Sequence, residues 1–162
     1  MTPLHLAKRI VEHFKPCGNV LEPCAGEGSF MNALQKYSEN YQPIGIDWCE
    51  VSKGRDFFNW GAKANWIITN PPWSQIRQFL QHSMVLADEI VFLMTVNHCW
   101  TKARVRDVKQ HGFGIKEICL VEFPPEFPSS GFQLGAIHFS RDWKGDIKFS
   151  DISQQDPLEG VW

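Results

Sequence analysis

Apolar residues recur at three- and four-residue spacing from Leu4 through Ala7, Ile10 and Val11 to Phe14, which predicts an amphipathic helix. Thr2-Pro3 reads as its start, since threonine can cap a helix and proline suits the first helical position. The pattern then shortens. Residues 19–23 form a brief apolar run, a strand that meets the turn Cys24-Ala25-Gly26-Glu27-Gly28, and a helix is expected from 29 to 37. A second strand at 44–46 stops at Asp47, and 54–60 holds the stub of another. Residues 66–69 read as a strand, 74–86 as a helix, and 90–96 as a strand of buried type. A basic helix over 101–111 is ended by Gly112 and Gly114. A strand at 115–123, a proline-rich loop at 124–131 and a last strand at 134–139 follow.

Strands that alternate with helices and finish in a strand pair predict an α/β fold: a mostly parallel sheet, helices on both faces, and a C-terminal antiparallel strand. From 144 onward the chain is polar, with Phe149, Leu158, Val161 and Trp162 among its few large apolar residues. It reads as a loosely attached tail over 144–162 behind a domain spanning 1–143.

The total of 162 residues suits one domain with its own core. A net charge of -2 argues against a protein that coats nucleic acid nonspecifically, and leaves room for a localised basic face. The five cysteines show no paired spacing, so free thiols are expected, and the scattered histidines suggest no metal. No apolar run approaches the ~20 residues of a membrane span, and the N-terminus is too charged for a signal peptide. The expected setting is cytoplasmic, away from membranes.

Two short stretches carry the chemistry. The first is strand, Gly26-x-Gly28, helix, a turn that lets backbone approach a ligand closely. Met31 stands where a dinucleotide loop would place a third glycine, and no Walker lysine follows. Asp47 lies nineteen residues after Gly28, where a carboxylate can accept both ribose hydroxyls. Asp56 beside Phe57 offers an acceptor and a ring for a purine. The second stretch is Trp66-Ile67-Ile68-Thr69-Asn70-Pro71-Pro72-Trp73. Two prolines cannot extend a ladder, so the strand must end there, with an amide and an indole on a stiff corner.

Together these residues resemble the S-adenosylmethionine-dependent amino-methyltransferases, particularly the DNA adenine-N6 enzymes. Thr2-Pro3 with Ala7 looks like their N-terminal cofactor motif, Glu22-Pro23-Cys24-Ala25-Gly26-Glu27-Gly28-Ser29-Phe30 like their glycine loop, and Asn70-Pro71-Pro72-Trp73 like their catalytic motif. The resemblance spans roughly residues 2–143. It implies a Rossmann-like class I methyltransferase fold with S-adenosylmethionine as cofactor. The implied cofactor contacts are Thr2, Pro3, Glu22, Pro23, Cys24, Ala25, Gly26, Gly28, Phe30, Asp47, Trp48, Asp56, Phe57 and Asn70. The implied catalytic group is Asn70, Pro71, Pro72 and Trp73.

In that chemistry the Asn70 side-chain oxygen and the Pro71 carbonyl accept the hydrogens of an exocyclic amine, freeing its lone pair. Neither metal nor covalent intermediate is needed. The target base must be unpaired or flipped, with Trp73 as its stacking platform. Phe127 is the first choice for a second ring, ahead of Phe123 and Phe132. Lys102 and Arg106, with Lys109, are candidate phosphate contacts.

DNA is the expected partner and RNA the next. A protein glutamine amide and a non-catalytic, methyltransferase-like subunit are further alternatives. The sequence holds no stretch long enough for a target-recognition domain. Little sequence preference is therefore expected, or specificity supplied by a protein partner.

Overall fold

The computed structural model describes residues 1–128 and 131–153. Helices α1 (Leu4–Phe14), α2 (Ser29–Asn40), α3 (Ile76–Leu86) and α4 (Lys102–Gln110) flank strands β1 (Asn19–Glu22), β2 (Gly45–Trp48), β3 (Trp66–Thr69), β4 (Glu89–Thr95), β5 (Phe113–Leu120), β6 (Leu134–Arg141) and β7 (Lys148–Asp151). They form one seven-stranded sheet in the order β2-β1-β3-β4-β6-β5-β7. Only β6 runs against the rest, pairing antiparallel with both β4 and β5. This is the Rossmann-like α/β sheet that the alternating pattern predicts. No helix among the described residues is long and apolar enough to cross a membrane.

Period-two alternation divides each strand between two cores. Ile67, Ile90 and Phe92 face α3 and α4, packing with Ile76, Leu80, Met84 and Val108. Ile68, Val91 and Leu93 face α1 and α2, packing with Leu6, Ile10, Phe30 and Leu34. A strand buried on both faces reads as a continuous apolar run, as β4 does. In β5 the register slips between Ile115 and Glu117. This bulge reverses the phase of the strand, so Ile115 faces one core while Glu117 and Cys119 turn toward α1. There Glu117 accepts from His13 at 2.6 Å and from the Ser150 hydroxyl, with Lys148 Nζ at 3.8 Å. His13, Glu117 and Cys119 bring their ligand atoms within 4.8 Å of one another. With its carboxylate already engaged, the cluster is a clasp that joins α1, β5 and β7.

Three expectations change. Residues 148–151, read as part of a loose tail, form β7 in parallel register with β5, from Glu117↔Lys148 to Leu120↔Asp151. A four-residue strand that is mostly exposed carries no alternating signature for sequence to show. The remainder of that tail, 154–162, lies outside the described residues. The expected strand stub at 54–60 instead holds a 3-10 turn, Phe57–Asn59, and a second, Val51–Lys53, precedes it, so β2 connects to β3 without a strand or an α-helix. Finally, Pro3 is the N-cap of α1, and Thr2 makes no cap contact.

The short β2–β3 connection is held by Arg55. Its guanidinium lies 4.4 Å from the Trp48 ring centre and 5.1 Å from that of Trp60, and it donates to Asp47 at 2.8 Å. Beneath it Phe57 stacks on Phe79 at 5.2 Å and meets His82 edge-on. Phe57 is only 3% exposed, so its ring is core and not a surface for a purine. Phe57→Ala should therefore lower stability by about 3–5 kcal/mol in chemical denaturation. A loss below ~1 kcal/mol would place the ring outside the core.

Candidate functional site

The strand order reverses between β1 and β3, which lie in parallel register through Leu21↔Ile67. In open parallel sheets, ligands settle beyond the carboxyl ends of the strands at such a switch point. The two motifs end side by side there: β1 delivers the glycine loop and β3 delivers the Asn70 corner.

Glu22 closes β1 and is 1% exposed. Cys24 N–H donates to its Oε1 at 2.8 Å. Burial pushes the Glu22 carboxyl from its ordinary 4.5 up to about 8, with the Cys24 hydrogen bond opposing and the Glu50 charge adding to the rise. A buried carboxyl in this state keeps its proton through neutral pH. Beyond it the chain turns through Gly26 (φ 53°) and Gly28 (φ 95°), conformations that side chains rarely adopt. A Cβ at either glycine would meet nothing within 4 Å, so the loop faces open space. Gly28 is the N-cap of α2, whose first turn presents backbone N–H groups toward that space. Pro23 and Phe30 are buried, while Cys24 and Ala25 are half-buried.

One acid that hydrogen-bonds the glycine loop is one that sequence reasoning passed over. Glu50 Oε2 accepts from Gly26 N–H at 2.8 Å, and Oε1 accepts from the Ser52 hydroxyl at 2.8 Å. The Ser52 and Gly26 bonds hold the Glu50 carboxyl below its ordinary range. Asp47, chosen on spacing, lies one residue before the end of β2 and is engaged by Arg55. The available signal was Glu50-x-Ser52, a side-chain-capped turn following the strand. Asp56 accepts from Phe58 N–H at 3.0 Å and caps its own turn.

The second motif is held as the prolines require. β3 stops at Thr69, Pro72 is extended (φ -58°, ψ 121°), and a 3-10 turn, Trp73–Gln75, leads into α3. Asn70 is half-buried, and its Nδ2 donates to Thr2 Oγ1 at 3.0 Å. Trp73 packs against both cores and donates from Nε1 to the Leu93 carbonyl at 3.3 Å. The Phe127 ring meets Trp73 edge-on at 6.0 Å and is itself flanked by Phe123 at 6.2 Å. Asn70, Pro71, Trp73 and Phe127, with Met1 and Glu126, line a cleft of about 280 Å³. Of the proline-rich loop, residues 129 and 130 lie outside the described residues, and Phe132 is 56% exposed.

Lys102 and Arg106 are exposed on α4 and do not line this cleft. On the same helix Arg104 is buried, donating to the His98 carbonyl, and Asp107 is held by Arg77 at 2.7 Å. Two of the five charged residues of α4 are thus structural. A larger groove, about 680 Å³, runs along α4 and β5 beside Trp100, Trp143 and Ile147. It contains neither motif, so size alone does not mark the site.

No family model and no curated protein matches the chain. Solved structures do share its fold. A modification subunit assigned to a type I restriction enzyme from Vibrio vulnificus YJ016 superposes with a TM-score of 0.67 at 15% identity, over 97% of this chain and 48% of that one. A protein from Listeria monocytogenes assigned to the class I S-adenosylmethionine-dependent methyltransferases gives 0.63 at 12% identity, over 98% and 65%. The 23S rRNA methyltransferase ErmE gives 0.59 at 13% identity, over 90% and 72%. The fold is therefore that of class I S-adenosylmethionine-dependent methyltransferases. The chain spans about half the length of the modification subunit.

Glu22 gives this site a stability signature. Its folded pKa lies above its unfolded one, so between about pH 4.5 and 8 the folded chain holds a proton that the unfolded chain has lost. Stability must fall as pH rises through that window and level off above it. Glu22→Gln, which keeps the acceptor for Cys24 N–H, should equal the wild type near pH 5 and melt higher than it near pH 8.5. Parallel melting curves across that range would show that Glu22 is ionised in the fold.

Proposed function

We propose that this chain is an S-adenosylmethionine-dependent methyltransferase that acts on the exocyclic N6 amine of adenine in DNA. One juxtaposition carries the reading: a half-buried asparagine amide on a proline-stiffened corner, framed by Trp73 and Phe127, beside a glycine loop backed by a buried acid. The loop fits the cofactor on three grounds. Its glycines leave an open cradle, a cationic group beside the buried Glu22 carboxyl would favour its ionised form, and the Glu50 carboxylate stands at the loop as an acceptor for hydroxyls. S-adenosylmethionine, when bound, supplies an activated methyl group.

The protein's own part is positioning and polarity. Asn70 Oδ1 and the Pro71 carbonyl accept the two amine hydrogens, so the nitrogen can pyramidalise and present its lone pair. Trp73, pinned to Leu93, offers a fixed stacking face, and Phe127 closes the cleft from the other side. An adenine must leave its helix to enter, at a cost of a few kcal/mol that stacking on such rings offsets in part. Lys102 and Arg106 serve the flanking phosphates, outside the cleft. The resemblance of the Asn70 corner to the DNA adenine-N6 enzymes, with the likeness to a modification subunit of a type I restriction enzyme, favours DNA. The cytoplasm and a specificity-supplying protein partner belong to this reading.

Methyl transfer from labelled cofactor to DNA, RNA and protein pools, followed by nucleoside and amino-acid analysis, tests the substrate class. Label in N6-methyladenine of DNA is expected, and label confined to protein glutamine would overturn the proposal. Asn70→Ala should retain cofactor affinity while losing on the order of 10²–10³ in turnover, the usual cost of one preorganised polar contact. We assign the ribose hydroxyls to Glu50 in preference to Asp47, which acts through Arg55. Glu50→Gln should then weaken cofactor binding about tenfold, and Asp47→Asn less than threefold, by calorimetry. The reverse order would restore Asp47 to the ribose.

A further inference from the structure

Cys99 is buried in the turn after β4, and the next residue, Trp100, is 54% exposed. β3 and β4 are parallel neighbours through Thr69↔Phe92, so Asn70 and Trp100 both follow strands that end at the same edge of the sheet. Trp100 also stands directly before Thr101, the N-cap of α4. On that helix the one acid, Asp107, is buried and held by two bonds from Arg77, and Arg104 is engaged by the His98 carbonyl. The charges left on the surface are Lys102, Arg106 and Lys109, a stripe of cations at four- and three-residue spacing. Their side chains make no hydrogen bond or ion pair with the described residues. Lys109 and Trp100 line one groove, whose apolar walls include Val105, Ile118 and Trp143. Asp142 and Lys144 also line it and together add no net charge.

We infer that Trp100 and the α4 stripe bind single-stranded DNA beside the target adenine, with the indole stacked on an unpaired flanking base. This rests on the proposed reading of the chain as a DNA methyltransferase. Bases in a duplex stack on one another and offer only their edges, so an exposed indole finds a free face only in an unpaired strand. Stacking tolerates any base, and unpaired cations attract phosphates without reading sequence. Charge decides against a protein partner: protein interfaces are depleted of lysine, whereas Lys109 lies within this groove beside two further free cations. The target base enters the cleft, while its neighbour stays outside on the indole.

Fluorescence anisotropy on the full chain, with one oligonucleotide offered single-stranded and as a blunt duplex, tests this. The single strand should bind about tenfold tighter than the duplex. Trp100→Ala should weaken single-strand binding about tenfold and duplex binding less than twofold, and Trp100→Phe should restore most of the loss. Because the ring is exposed, circular dichroism should show both variants folded. Lys109→Gln should reduce the salt slope of single-strand affinity by about 0.7, the share of one phosphate. An abasic nucleotide moved outward from the adenine locates the stacked base: at one position its cost and that of Trp100→Ala should not add. Equal affinity for both forms of DNA, or an equal loss from Trp100→Ala on both, would overturn the inference, as would additive losses at every abasic position. Self-association that Trp100→Ala abolishes, with DNA binding unchanged, would overturn it in favour of a second copy in the groove. Methyl transfer to DNA without any dependence of binding on Trp100 would overturn this inference alone. Trp100-dependent binding of single strands without methyl transfer would overturn the enzymatic reading while the strand-binding surface remained.

Discussion

Two backbone pairings, Val20↔Trp66 and Leu21↔Ile67, join β1 to β3, and the candidate site depends on them. The glycine loop and the proline corner lie more than forty residues apart in sequence. They become neighbours only because their strands are parallel, adjacent and in this register. A slip of one residue would exchange the faces of β3, turning Ile67 and Ile68 into the wrong cores. The two cores therefore enforce the register, and the register brings the acid of one motif toward the amide of the other. The helices add the second constraint. α1 packs on the same face as α2 and so carries Thr2 to Asn70.

That architecture places a cost at its centre. Glu22 is buried in the protonated range, where a carboxyl contributes less to folding than a neutral side chain of its size. The chain retains it at the end of the strand where a cationic ligand would meet it. On the proposed reading, binding returns part of the destabilisation, because a cation beside the carboxyl favours its ionised form. The glycines have the same logic. Nothing sterically demands them, since a Cβ would meet open space at Gly26 and Gly28, and what demands them is the left-handed backbone that shapes the loop.

Sequence was informative wherever a local rule decided the outcome. Proline ended β3 after Thr69, the two glycines turned the loop, and helical spacing marked α1, α2, α3 and α4. It was silent where tertiary partners decide. Asp47 had the expected spacing, but Arg55, itself clamped between Trp48 and Trp60, occupies it. Glu50 was passed over because, apart from its Ser52 turn, its meaning comes from Gly26, which only the β1–β2 pairing brings near. Phe57 read as a surface ring because Asp56 precedes it, and only Phe79 and His82 reveal it as core. Strand β7 has no alternation to read, since its neighbour β5 and the Glu117 clasp hold it in place.

The cleft's electrostatics bear on what can enter it. Glu126 lines it beside Phe127. A carboxylate at the rim repels phosphate, and no lysine or arginine among the described residues lines the cleft to offset it. On the proposed reading, a nucleic-acid strand would present only a base here and keep its backbone outside the cleft; Lys102 and Arg106 are exposed on α4. The geometry favours a base extended away from its chain over a groove that tracks one. On the proposed reading the two contributions to recognition are separate: rings and the Asn70 amide would read the base, while exposed lysine and arginine would supply attraction without reading sequence. Direct readout would need several side chains aimed at base edges. Among the described residues that line the cleft, the polar side chains are those of Asn70 and Glu126, which on the proposed reading suffice to hold an amine and are too few to read its neighbours.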